Sequence, residues 1–182
     1  TFLHAGYTVS SVSRNSDKSK HSFSLDLTDS LEVSEFIKSS NPVDIVVHCA
    51  AIVDSDYLEN HKSYGKSINE GGTQNIVNAC RAFGSKMIYI SSDYVFGKQE
   101  GQFAENAKCN PVNYYGKTKL NGEIIVQRML DNFIIIRPTM LYGRQDNINS
   151  NGFIYKILNK LSKNKKIGLD NCDIKYPVLV DD

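Results

Sequence analysis

"PVDIVVHCAA", residues 42–51, is a near-continuous apolar run of strand length. Such a run fits a strand buried on both faces, as in the interior of a parallel sheet. Parallel strands need crossover connections, so helices are expected on either side of it in the chain. Upstream, Asp29 with Glu32 three residues on reads as a capping box opening a helix through Ser39. Downstream, Ile68, Ile76, Val77 and Cys80 fall at helical spacing within 66–83, and Gly84 ends that segment.

The alternation continues outward. "YTVSSVSR" predicts a strand over about 7–13, "SFSLDL" another over 22–27, and "KMIYISS" a buried strand over 86–92. A polar loop with Gly97, Gly101 and Pro111 covers 93–112, followed by a helix over about 114–131. "FIIIRP" gives the next strand, and Phe153, Ile157, Leu158 and Leu161 give a helix over about 152–162. Strands alternating with helices predict a doubly wound parallel α/β sheet with right-handed crossovers. Ligands in such sheets bind at the carboxyl ends of the strands. Those ends are Arg14, Asp26, Ala50-Ala51, Ser91-Ser92 and Arg137-Pro138.

Composition narrows the function classes. Twenty-one Lys and Arg against 20 Asp and Glu leave almost no net charge, which argues against a general nucleic-acid binder. The basic cluster Lys163, Lys165, Lys166 reads as a solvated helix end. Cysteines at 49, 80, 109 and 172 show neither C-x-x-C nor Cys/His pairing, so no zinc site or disulfide framework is expected. Four free thiols suit a reducing cytosol, and no apolar run has the ~20 residues of a membrane span. Cys49, Cys80 and His48 read as core residues. Asp54, Asp56 and Glu59 read as a solvated acidic loop rather than a metal site. The opening "TFLHAG" resembles the last turn of a helix capped by Gly6, and the chain is expected to be truncated at both ends.

"NYYGKTKLNGE", residues 113–123, carries two tyrosines and two lysines on one predicted helix. Tyr115 and Lys119, four apart, share a helix face, and so do Tyr114 and Lys117, three apart. Spacing alone leaves both pairs open. A phenol of ordinary pKa near ~10 is a poor acid–base group at neutral pH, and a nearby ammonium brings it closer to the useful range. Ser91 and Ser92, at a strand end, could supply a hydroxyl to fix a substrate oxygen beside it.

"SLDLTD", "VVHCAA", "NEGGTQNIVNAC", "MIYISSDYVFG", "NPVNYYGKTKLNGE", "IIIRPTMLYG" and "YPVLVDD" occur in this order along the chain. Together they resemble the extended short-chain dehydrogenase/reductases of the NAD-dependent epimerase/dehydratase superfamily, in particular the dTDP-4-dehydrorhamnose reductase branch. The regulatory β subunit of methionine adenosyltransferase shares that branch. The resemblance implies a Rossmann-like sheet, with Tyr115, directly before its glycine, as general acid. It implies that Lys119 bonds the nicotinamide ribose and lowers the Tyr115 pKa, that Ser92 is the catalytic hydroxyl, and that Asn69 helps hold the active site. Asp93 matches an acidic position of the branch with no role assigned. Ala50 and Ala51 match small residues lying against the cofactor, Asp26 and Leu27 the pair flanking its adenine, and Pro138, Thr139 and Tyr142 the lining near the nicotinamide.

The implied activity is NADP(H)-dependent reduction of a nucleotide-activated 4-keto-6-deoxy sugar. Two alternatives are a nucleotide-sugar epimerase or dehydratase and a non-catalytic, dinucleotide-binding regulatory subunit. Arg14, with no carboxylate before Asp17, favours NADP(H) over NAD(H), because a guanidinium suits a ribose 2′-phosphate. No metal, nucleic acid or membrane is expected, the nucleotide sugar is the expected partner, and a homodimer is a candidate assembly. Residues 1–140 are expected to form a dinucleotide-binding domain lacking its first strand and glycine-rich loop, and 141–182 the start of a substrate lobe. The family's G-x-x-G-x-x-G turn does not occur in these residues, so they are expected to bind dinucleotide poorly.

Overall fold

A computed structural model describes residues 2–14, 21–40, 42–97, 103–143, 153–168 and 177–179. The chain divides into two compact units, Thr1–Ile136 and Arg137–Asp182. In the first, β1 (Ser11–Ser13) pairs in parallel with β2 (Ser22–Ser24). A second parallel sheet has the order β3 (Ile45–His48), β4 (Lys86–Ile90), β5 (Phe133–Ile136). Its register sets Val47 beside Ile88 and Ile88 beside Ile134. Among the described residues all strand pairs are parallel, as the apolar runs predict, although β1 starts later than expected, β2, β4 and β5 end earlier, and β3 is shorter at both ends.

Helix α1 (Ser30–Ser39) begins where expected, with the Asp29 carboxylate accepting from the amides of Leu31 and Glu32. The box is not reciprocal, however. Glu32 turns to the Asp26 amide at 3.1 Å, because the Asp29 amide is already bonded to the Asp26 carbonyl. The segment expected as one helix over 66–83 is composite. Helix α2 (Ser55–Asn60) and the short α3 (Lys62–Gly65) lead into a π-helical turn, Lys66–Gly71, and then α4 (Gly72–Phe83). Gly84 ends α4 at φ 76°, a left-handed conformation that favours glycine. Helix α5 (Tyr114–Met129) follows the loop after β4.

Val33, Ile37, Ile76, Val77 and Val126 from α1, α4 and α5 pack with Met87 and Tyr89 of β4 and with Val46, Phe133 and Ile135. These are alternate residues of their strands, so one sheet face meets the helices. Ile45, Val47, Ile134 and Ile136, on the other face, are 38–57% exposed. The expectation of a strand buried on both faces therefore holds for one face of β3 only. The second unit has a parallel pair, β6 (Leu141–Tyr142) and β7 (Val178–Leu179), and α6 (Phe153–Ser162). Lys163, Lys165 and Lys166 are exposed beyond α6, as expected of a helix end. Among the described residues, no helix is long and apolar enough to cross a membrane.

Candidate active site

Asn113 decides where α5 starts. Its backbone is extended, and its side chain accepts from the Gly116 amide at 2.8 Å, so Tyr115 falls in the first turn. Gly116 is required by a close approach, since a Cβ there would lie 2.5 Å from the carbonyl oxygen of Tyr94. That glycine lets the helix start press on the 3₁₀ turn Asp93–Val95, which Ser92 caps by accepting from the Tyr94 amide. The Tyr94 and Tyr115 rings meet edge to face at 5.6 Å between centroids.

Tyr115, Ser92 and Lys119 are all buried, Lys119 to 2% exposure. Burial pushes the Tyr115 phenol up, the Ser92 hydroxyl bonding to it pulls the other way, and Asp93 and Tyr94 add to the rise. This differs from the expectation that Lys119 lowers the phenol. The Lys119 ammonium lies 4.3 Å from the centre of the Tyr89 ring. Burial lowers its pKa to about 8, with Glu123 and then Cys49 acting against the fall. Tyr114, the other tyrosine, is half-buried, and its amide donates to Glu59 at 2.6 Å.

Asn69 is buried in the π turn. Its amide nitrogen donates to the Ile52 carbonyl and to Thr118 Oγ1, and its oxygen accepts from the Ile52 amide. Thr118 in turn donates to the Tyr115 carbonyl at 2.8 Å. The asparagine thus ties the chain after β3 to the first turn of α5. Ala50 and Ala51 occupy that same stretch after β3, exposed and half-buried. Neither has a side chain beyond Cβ. Cys49 lies beside them, and burial raises its thiol pKa while the Lys119 charge opposes the rise.

The remaining predicted positions are more dispersed. Arg14 is exposed after β1 and donates to the Tyr64 hydroxyl at 2.8 Å. Asp26 is exposed, and its carboxylate accepts from the amide and hydroxyl of Thr28, which lowers its pKa. Leu27 packs against Gly72, and its carbonyl accepts from Asn75. Pro138 belongs to the second unit and is half-buried.

Several sequence readings change. Cys80 is buried, its pKa raised by burial to about 11, but Cys49 is exposed because it lies past the end of β3, where the chain leaves the sheet. The acidic stretch is not a loop: Asp54 caps α2, and Glu59 bridges to Lys62 at 3.4 Å. His48 is a core residue bonded through Nε2 to Thr73 Oγ1 at 3.0 Å. Two interior residues, Glu123 and Thr118, are not among the positions the sequence singled out. Ser91 donates to Glu123 Oε1 at 2.5 Å, and both are buried. The i, i+4 step from Lys119 to Glu123 was the available signal; nothing local marks Thr118.

A family model described as the RmlD substrate-binding domain matches residues 2–182. The β subunit of methionine adenosyltransferase 2 from Bos taurus is 32% identical over 158 residues, 87% of this chain and 47% of that protein. A dTDP-4-keto-6-deoxy-D-glucose reductase from Streptomyces niveus is 37% identical over 122 residues, 66% of this chain and 42% of that protein. Among solved structures, the dTDP-4-dehydrorhamnose reductase of Bacillus anthracis in complex with NADP has a TM-score of 0.71 at 30% identity, covering 78% of this chain and 50% of that one. The chain spans about half the length of the curated relatives it matches. With a parallel α/β fold, a tyrosine and serine side by side at the end of β4 and this match along its length, the chain belongs to the RmlD substrate-binding family.

Proposed function

We propose that the protein is an NADP(H)-dependent reductase of a nucleotide-activated 4-keto-6-deoxy sugar. The observation that carries this reading is the pairing of the Tyr115 phenol with the Ser92 hydroxyl at the carboxyl end of β4, with Lys119 one turn along α5. The names of the Streptomyces niveus and Bacillus anthracis relatives support the substrate class, and the latter's NADP supports the cofactor.

The small residues Ala50 and Ala51, next to the cysteine whose thiol feels the Lys119 charge, suit the ribose and nicotinamide end of a dinucleotide. When bound, that group supplies hydride to a carbonyl carbon. Ser92 donates a hydrogen bond to the carbonyl oxygen, and Tyr115 gives it the proton. The phenol, held high in pKa by burial, keeps its proton at neutral pH until the oxygen becomes basic. Arg14, exposed at the end of β1, offers its remaining N–H donors to a 2′-phosphate. Residues 1–140 serve the dinucleotide, and 141–182 begin the substrate lobe.

The test is NADPH oxidation with a 4-keto sugar nucleotide. Tyr115→Phe should lower kcat by about 10²–10⁴-fold, and Tyr114→Phe should change it little. Near-native turnover by Tyr115→Phe would remove the proposed acid. Stoichiometric NADPH consumption separates a reductase from an epimerase.

A second reading, a regulatory dinucleotide-binding subunit, is favoured by the methionine adenosyltransferase relatives, which cover more of the chain than the reductase does. It predicts co-purification with a methionine adenosyltransferase and no turnover of any keto sugar.

A further inference from the structure

Burying a lysine and a glutamate in one small interior is costly unless each serves the other or a hydrogen bond. Lys119 is 2% exposed and Glu123 1% exposed, and they stand one turn apart on α5. Gly122, between them, admits the Tyr89 hydroxyl where a Cβ would collide with it, so β4 packs directly on this stretch of helix. Tyr89 turns its ring face to the ammonium, and its hydroxyl donates to the Lys119 carbonyl at 3.4 Å. Ser91, also on the β4 side, donates to the Glu123 carboxylate.

We propose that Glu123 is a positioning residue: its buried carboxylate, seated on Ser91, is the counter-charge that keeps the Lys119 ammonium protonated inside the fold. The role assigned to Lys119 rests on the reductase reading, whereas the charge relation does not. The other groups facing this interior are weaker partners. His48 of β3 is held neutral by burial, and the Cys49 thiol is pushed up by burial, so neither carries the opposing charge at neutral pH. Tyr89 and Tyr115 are likewise raised and neutral. Glu70, in the π turn, is half-buried and accepts from Asn121 at 3.1 Å. Glu123, by contrast, is fully buried one helical turn from Lys119, and its charge opposes the fall of the lysine's pKa. The adjacent serines thus divide the work: Ser92 faces the phenol, and Ser91 faces the carboxylate behind the lysine.

The experiment is a titration of Lys119 in the ligand-free protein, followed by NMR of ¹³Cε-labelled lysine, with Lys119→Met for assignment. Glu123→Gln, which keeps the shape and the Ser91 contact, should lower the Lys119 pKa by about one unit or more. An unchanged Lys119 titration in folded Glu123→Gln overturns the proposal. Where Glu123→Gln does not fold, the Lys119→Met/Glu123→Gln protein should recover most of the lost melting temperature, because no ammonium remains to be compensated. Equal damage in both backgrounds would make Glu123 a partner of Ser91 alone and also overturn it. Failure of NADPH oxidation sinks the reductase reading and leaves the titration result standing.

Discussion

His48 shows how one buried side chain sets a pH response. Burial, then the Lys119 charge, lowers its pKa from 6.5 to about 3. The folded protein therefore holds the imidazole neutral while the unfolded chain takes up a proton as pH falls from 6.5 towards 3. Stability contributed by this site is constant above 6.5 and is lost across that window, with a slope of up to ~1.4 kcal/mol per pH unit. His48→Gln, which can still bond Thr73, should flatten the acid limb of urea-unfolding free energies measured from pH 7 to 4. An unchanged limb would mean that His48 is not held neutral. The sequence showed that this histidine is a core residue, since it sits on an apolar run. Its hydroxyl partner, 25 residues away, was not legible.

At the scale of elements, α5 does most of the positioning. Its first turn presents Tyr115, its second Lys119, its third Glu123, and one cap fixes the start. Asn113→Ala should cost about 1 kcal/mol in denaturant unfolding, and Asn113→Asp a few tenths at most. An equal cost for both would show that the amide group, not the capping oxygen, matters. The π turn does the complementary work on the other side. Its wider coil brings Asn69 against both the Ile52 backbone and Thr118, coupling the chain after β3 to α5. The periodic apolar residues of 66–83 predicted a helix and could not reveal its π segment, because a one-residue widening leaves the apolar pattern almost unchanged. Helix α2 was missed for a different reason: its acidic residues, one of them the cap, look like a solvated loop.

At the scale of the molecule, the first unit lays α1, α4 and α5 on one sheet face and leaves apolar residues on the other. Neighbours on β5 should therefore respond oppositely to truncation. Ile135→Ala, on the helix side, should cost about 2–4 kcal/mol, and Ile134→Ala, 57% exposed, well under ~1 kcal/mol. Similar losses for both would mean that the bare face is covered in solution. The sequence by itself determined the parallel α/β class and the strand ends where a ligand would lie, because hydrophobic period and turn residues are local properties of the chain. The family resemblance pointed to Tyr115 through the glycine that follows it, whereas helical spacing alone left Tyr114 in play. The resemblance pointed to Ser92, and only the tertiary structure decided where the Lys119 ammonium lies and that Ser91 turns to Glu123. Those are matters of burial and of contacts between residues far apart in the chain, 30 from Tyr89 to Lys119 and 32 from Ser91 to Glu123, and no local pattern encodes the neighbours that a side chain loses water to meet.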